Sequence, residues 1–261
     1  MGRFTDWLLR RGSAPVTKTT RRRIDLGPDE PLYPIYAIGD VHGSLDQLIA
    51  AEERIARDIQ KTGQPGPVVL LGDYVDRGPN SGQVLDHLIR PSELKLRRVP
   101  ICGNHDDLFA RFLDQPEAYW DWLGIGGDRT LTSYGIDLTF LGNNKKTRLE
   151  RLSYSLADAV PPAHKEFLAQ LPTSLRIGRF VFVHAGIKPG VPLDQQDDKD
   201  LMWIRDPFLA EGPKMPFLVI HGHTPQPEPY RGPGRIGIDT GAYYSGKLTV
   251  LKLQGEQLSI I

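Results

Sequence analysis

Thiols, surplus charge of either sign and long apolar runs are what this chain lacks. Cys102 is its single cysteine, so no disulfide can close within one chain, and the composition suits a reducing compartment. Lys plus Arg number 32 and Asp plus Glu also 32, a formal net charge of +0 over 261 residues, so no global field recruits nucleic acid or a membrane surface. No apolar stretch approaches the ~20 residues that a bilayer crossing needs. The N-terminus has a short apolar patch at Trp7, Leu8 and Leu9 but no long apolar region with a small-residue cleavage site. A secretory signal is therefore not expected, and the cytoplasm is the expected location. Internal repeats and low-complexity segments are missing too, which leaves one sizeable α/β domain with insertions, or two small domains.

Residues 1–31 read as a partly disordered arm ahead of a domain over 32–261. Phe4, Trp7 and Leu8 have the i, i+3, i+4 spacing of a short amphipathic helix, and Arg10, Arg11, Lys18 and Arg21 to Arg23 make a basic run. In a chain that is otherwise neutral, such a run reads as a solvated leader before it reads as a binding site.

What is present is one local pattern, used repeatedly. Five times a short apolar run ends in a turn bearing Gly, Asp, Asn or His: GDVHG at 39–43, GDYVDRG at 72–78, GNHD at 103–106, HAG at 184–186 and HGHT at 221–224. The runs ahead of them are short and aliphatic enough for buried strands, and helical periodicity follows at about 45–59 and 81–89. Strands alternating with helices predict a layered α/β architecture, with ligands beyond the carboxyl ends of the strands. Residues 107–177 depart from the pattern: DDLFARFL, AYWDWLG and AHKEFLAQL read as helices, a helical insertion near the site. GIGGDRTLTSYGI at 124–136 is glycine-rich but lacks the preceding strand and the Lys-Ser/Thr ending of a phosphate loop, so a turn joining helices is expected. The sheet is expected to resume at RFVFVHAG and to continue through FLVIHGHT, RIGIDTGA and KLTVLKL.

The turns place Asp40, His42, Asp73, Asn104, His184 and His223 at the ends of separate strands. Carboxylate, carboxamide and imidazole groups without a thiolate suit a hard or borderline divalent metal. Asp40 and His42 lie two apart, and in extended geometry both side chains would leave on one face. Asp73 can give one carboxylate oxygen to each of two ions. Polar capping of strand ends would account for any one of these turns, but not for all five. Cys102 reads as a small buried hydrophobe, and His87 and His164 as ordinary residues of helices.

In this order, GDVHG, GDYVDRG, GNHD, HAG and GHTP resemble the phosphoprotein phosphatase branch of the calcineurin-like metallophosphoesterases. The tail after His221 is similar to bacterial and bacteriophage serine/threonine phosphatases, and the likeness covers residues 35 to about 255. The resemblance implies a sandwich of two mixed β-sheets flanked by helices, and two divalent metal ions: manganese, or iron with manganese or zinc. It implies that Asp40, His42 and Asp73 hold one ion, and Asp73, Asn104, His184 and His223 the other. His105 would be the general acid, oriented by Asp76, and Arg77 a phosphate clamp. Arg205, in LMWIRDP, is the candidate for a second clamp, while Asn104 and His221 are further substrate contacts in the cleft. Two positions depart from the pattern. Asp106 stands where eukaryotic members have Glu, and Thr224 and Pro225 replace the last His of GHxH, which leaves the first ion fewer protein ligands.

The function so implied is hydrolysis of phosphoserine, phosphothreonine or phosphotyrosine in proteins by direct attack of a metal-activated hydroxide, with no phosphoenzyme. GHTP and WIRDP favour a phosphoprotein or phosphopeptide substrate. Hydrolysis of a dinucleoside polyphosphate, of the diadenosine tetraphosphate type, is the alternative within the same chemistry. A non-enzymatic scaffold fits poorly with a complete set of ligands. No nucleic-acid or membrane partner is expected.

Overall fold

Alternation of side chains along doubly buried strands builds this molecule in four layers. In β2 (Ile35–Ile38), Ile35 and Ala37 enter one core while Tyr36 and Ile38 enter another. In β6 (Phe180–Val183), Phe180 and Phe182 are divided from Val181 and Val183 in the same way. The period of two leaves no other arrangement for strands whose every residue is buried. The structure is a computed structural model that describes residues 20–141 and 144–261.

One sheet runs, in spatial order, through Gln257–Ile260 (β11), Val250–Gln254 (β10), β2, Pro67–Leu70 (β3) and Arg97–Pro100 (β4). The other runs through Arg23–Asp25 (β1), Ser174–Ile177 (β5), β6, Leu218–His221 (β7), Arg235–Gly237 (β9) and Tyr230–Gly232 (β8). Between them lies the sandwich core, where Ile35, Ala37, Val69 and Ile101 meet Phe180, Phe182, Ile220 and Ile238. The outer face of the first sheet packs Tyr36, Ile38, Val68 and Leu70 against α1 (Leu45–Thr62) and α2 (Ser81–Ile89). The outer face of the second packs Val181, Val183 and Val219 against Leu201 of α7 (Asp198–Trp203) and Phe208 of α8 (Phe208–Glu211). This is the expected class, two mixed sheets face to face with helices outside.

The strand directions position the site. β2, β3 and β4 are mutually parallel, and β6, β7 and β9 are parallel in the other sheet. All five motif turns therefore leave from carboxyl ends, where an α/β layer binds its ligands.

The insertion differs from its expected bounds. Helix α3 (Asn104–Asp114) already begins inside the third motif, and the sheet resumes at β5, one strand before RFVFVHAG. The glycine-rich segment is more than a turn: a 3₁₀ helix over Trp120–Ile125 runs into α4 (Gly127–Ser133). Helix α5 (Lys145–Ala159) escaped the sequence reading because it buries little beyond Leu152 and Leu156, while α6 (Pro162–Gln170) stands where AHKEFLAQL put it. The folded domain also starts before residue 32. β1 pairs in parallel with β5, and the Arg21 guanidinium donates to Asp107 Oδ1 at 3.1 Å and to the carbonyl of Leu168 at 2.8 Å. These strands are charged and only three or four residues long, so they carry no apolar run to read. The amphipathic helix expected at Phe4, Trp7 and Leu8, with Arg10, Arg11 and Lys18, lies outside the described residues. Among the described residues no helix is long and apolar enough to cross a membrane.

Candidate active site

Backbone strain marks the site. Among the described residues seven non-glycine positions have positive φ, and five of them are His42 (44°), Asp73 (53°), Asp76 (72°), Arg77 (67°) and His223 (64°). Left-handed backbone is uncommon for such residues and persists where the surroundings enforce it, often at functional sites. His42 is thus not in extended chain, as its spacing from Asp40 suggested. The turn is fastened instead by the His42 N–H, which donates to the Asp73 carbonyl at 2.7 Å. Close approach at the other turns needs glycine: a Cβ on Gly222 would lie 1.9 Å from Asp40 Oδ1, and one on Gly103 2.1 Å from Asp73 Oδ1.

Asp106 clasps two turns together. Its Oδ2 accepts from the Asp73 N–H at 2.8 Å and the Gly103 N–H at 2.9 Å, and its Oδ1 from the Tyr74 N–H at 2.8 Å. Burial, with the Asp73 charge next, pushes its carboxyl up to about 7 against the pull of these donors.

Two ligand groups converge around Asp73. His42, Asp73 and His105 form one, and Asp73, His184 and His223 the other, each with donor atoms within 4.8 Å of one another and all buried. The His42 Nδ1–H donates to the Val75 carbonyl at 2.8 Å and the His184 Nδ1–H to the Leu71 carbonyl at 2.7 Å. Their Nε2 atoms are left facing Asp73 Oδ2 at 3.4 and 3.3 Å. Asn104 Oδ1 stands 2.8 Å from His184 Nε2 and 2.9 Å from His223 Nδ1, while His223 Nε2 is buried without a hydrogen-bond partner among the described residues. Lone pairs and carboxylate oxygens aimed at one another, beside an orphaned imidazole nitrogen, need shared positive charge. The donor set fits a pair of divalent cations.

The electrostatics agree. Burial pushes Asp40 well up, with the Asp239 carboxylate the next cause, and burial raises Asp239 as well. Burial works to raise Asp73, yet His184 and His105 hold it well below the usual carboxylate range. Burial works to lower His184, but Asp73 and Asp40 lift it to about 10. Burial puts His42 and His223 well down, in the neutral form that ligates. Asp40 is drawn in through the His223 N–H, 3.0 Å from its Oδ2, and His105 rather than Asp40 completes the first group. Asp239, passed over in the sequence, sits in the DTG turn after β9, and its only legible signal is a carboxylate just past a strand.

A second constellation adjoins the ligands. The His105 Nδ1–H donates to Asp76 Oδ2 at 2.6 Å, so Nε2 is the nitrogen that faces the cluster, 2.9 Å from Arg77 Nη2. Arg77 Nη1 donates to His42 Nε2 at 2.9 Å. Asp76 is fully buried and also accepts from Trp122 Nε1 at 2.7 Å and Thr130 Oγ1 at 2.7 Å, both from the insertion. The Arg77 N–H donates to the Gly126 carbonyl at 3.2 Å. The glycine-rich segment thus seats on the Asp76–Arg77 turn, a role the sequence did not disclose.

Arg205 and His221 divide. Arg205 is exposed just past α7, with no hydrogen bond or ion pair on its guanidinium among the described residues, and its charge lowers His223 after burial and His184 have done so. His221, expected in the cleft, is turned away. It is 1% exposed, its Nδ1–H donates to the Gly222 carbonyl at 3.0 Å, and its Nε2 accepts from Arg235 Nη1 at 3.2 Å. Burial foremost brings it down to about 4, so it stays neutral in the core against Phe208.

A family model described as calcineurin-like phosphoesterase matches residues 33–257. The chain is 25% identical over 240 residues to a bis(5'-nucleosyl)-tetraphosphatase (asymmetrical) of Anoxybacillus flavithermus, across 82% of this chain and 88% of that protein. In fold it is similar to a putative diadenosine tetraphosphatase, with a TM-score of 0.61 and 22% identity over 92% of this chain and 97% of the other. It is also similar to a mutant of a cold-active protein tyrosine phosphatase, with a TM-score of 0.57 and 16% identity over 92% and 80% of the two chains.

Proposed function

The chain belongs to the calcineurin-like phosphoesterase family, and from that premise we propose that it hydrolyses dinucleoside polyphosphates, splitting a bis(5'-nucleosyl) tetraphosphate into nucleoside mono- and triphosphate. The observation that carries the phosphoryl chemistry is Asp73, shared by two buried ligand groups beside a hydrogen-bonded His105–Asp76 pair. The choice of substrate rests on the name of the curated relative. The phosphoprotein expectation rested on GHTP and WIRDP, which deliver His223 and Arg205. Both would serve any phosphoryl group, so neither segment separates a protein substrate from a nucleotide.

Asp40, His42 and Asp73 would hold one cation, and Asp73, Asn104, His184 and His223 the other. When bound, such a pair, manganese or one containing iron, would supply Lewis acidity to the phosphoryl oxygens and bring the pKa of the attacking water toward ~7. Arg77 offers its planar fork to phosphoryl oxygens from one side and Arg205 its free guanidinium from the other. As an imidazolium, His105 would pass its Nε2 proton to the leaving oxygen, while its Nδ1–H on Asp76 orients the ring and stabilises the charged form.

A panel of diadenosine tetraphosphate, phosphoserine, phosphothreonine and phosphotyrosine peptides, assayed with added manganese, tests the reading. A higher kcat/KM on the dinucleotide is expected. A higher value on any phosphopeptide would restore the protein phosphatase.

A further inference from the structure

Each of the two ligand groups carries an aromatic ring and an arginine at its edge. On the His42 side, Tyr243 meets the imidazole edge-on with ring centroids 5.5 Å apart, and the Arg77 guanidinium lies 5.3 Å from the same ring centre. Tyr244 stands beyond it, 4.9 Å from Tyr243 and nearly perpendicular at 86°. Both tyrosines are open to solvent, 41% and 62% exposed. On the His223 side, the half-buried Trp203 meets the imidazole at 6.0 Å and 77°, two residues before the exposed Arg205.

Tyr243 and Tyr244 are large exposed rings beside buried charge, while Trp203 packs against the core and stays half-exposed. Tyr244 is held in place: its ring covers Gly241, whose φ of +64° and lack of a Cβ allow ring atoms to within 2.1 Å of where that Cβ would be. A platform so fixed loses little freedom when a flat ligand lands on it. Phosphoryl groups call for the arginines and cations; they make no use of two aromatic surfaces at opposite ends of the cluster. A polyphosphate with a base at each end uses both.

We propose that Tyr244, backed by Tyr243, and Trp203 are stacking subsites for the two nucleobases of a substrate whose polyphosphate lies across the ligand cluster between Arg77 and Arg205. This deepens the dinucleotide reading and rests on it. Stacking tolerates any base, since every base offers a π-face, so the subsites select for nucleotides over phosphopeptides without selecting a particular base.

The experiment is competitive inhibition of p-nitrophenyl phosphate hydrolysis by the manganese-loaded full chain, comparing ATP with inorganic tripolyphosphate. ATP is expected to bind roughly tenfold more tightly than tripolyphosphate, from one base–aromatic stack. Tyr244→Ala and Trp203→Leu together should bring that ratio close to one, and Tyr244→Trp alone should preserve it. A ratio taken within each variant cancels any general loss of folded protein, and exposed Tyr244 can be tested alone if Trp203→Leu misfolds. Equal inhibition by ATP and tripolyphosphate in the natural chain, or a ratio that survives loss of the rings, overturns the subsites. Turnover of diadenosine tetraphosphate is scored separately: no turnover with an intact ATP preference rejects the substrate reading, and turnover without the preference rejects only the stacking.

Discussion

Trp122→Phe removes the donor that Asp76 accepts at 2.7 Å while keeping an aromatic ring against Phe109 and Phe112, 5.2 and 4.6 Å away by centroid. Asp76 is fully buried, so no bulk water takes the vacated place. A hydrogen bond to a charged group is worth about 1.5–3 kcal/mol, and the missing part of the indole adds a small cavity. A total of about 2–4 kcal/mol corresponds to a fall in melting temperature of roughly 4–16 °C. The consequence for catalysis is separate. Under the role proposed for His105, a carboxylate with one donor fewer on Oδ2 holds the imidazole less firmly, which matters most when the leaving oxygen needs a proton. The kcat on phenyl phosphate, a poor leaving group, is expected to fall roughly tenfold, a change of ~1.4 kcal/mol. On p-nitrophenyl phosphate the loss should be clearly smaller. His105→Asn sets the scale, since a general acid contributes about 10²–10⁴-fold. Equal losses on the two substrates would refute the positioning argument. A lowered melting temperature with both kcat values intact would make Trp122 a packing residue only.

Three further outcomes are expected. Asp73→Asn should lower the metal stoichiometry measured by elemental analysis, because one carboxylate serves both ligand groups, and chelation should silence the natural chain; activity unchanged after verified metal removal contradicts the centre. Arg205→Ala should raise KM and the inhibition constant of inorganic phosphate with stability within about 0.5 kcal/mol of the natural chain, as its guanidinium is exposed and unpaired, and Arg205→Lys should restore the effect only in part. Far from the site, burial works to raise Glu52, yet hydrogen bonds from His87 and from Arg98, whose Nε is 2.6 Å from Oε1, hold it below its ordinary value. A depressed carboxylate stabilises above its unfolded pKa of ~4.3 and loses that contribution as pH falls through the folded pKa. Glu52→Gln should therefore cost about 3 kcal/mol at neutral pH, and the gap between the melting curves should close below about pH 4; a constant gap across that range would count against the pairing.

The candidate metal residues were legible because each lies within four positions of a strand end, where a local pattern suffices. Asp76 is held by partners 46 and 54 residues away, and no local pattern gives Trp122 or Thr130 that duty. Their contact depends on how the insertion folds, and α5 with its sparse apolar face was itself invisible. Strand parity is the local rule that failed: it put Asp40 and His42 on one face of an extended chain, although β2 ends at Ile38 and His42 has a φ of 44°.

Asp106 shows what the departures from the family pattern are worth. In the sequence it is only an Asp where eukaryotic members have Glu. In the structure its carboxylate sits at the third position of α3 and reaches back to the Gly103 N–H, as a capping side chain does, while also gathering the N–H groups of Asp73 and Tyr74. All three partners are backbone donors, so the turn that presents Asp73 and the turn that presents Asn104 share one fastening. A longer Glu would have to fold back to make the same bonds, or the two turns would have to part. The spacing of the ligand groups around Asp73 therefore depends on a residue that belongs to neither group, and the short side chain at 106 is matched to that spacing.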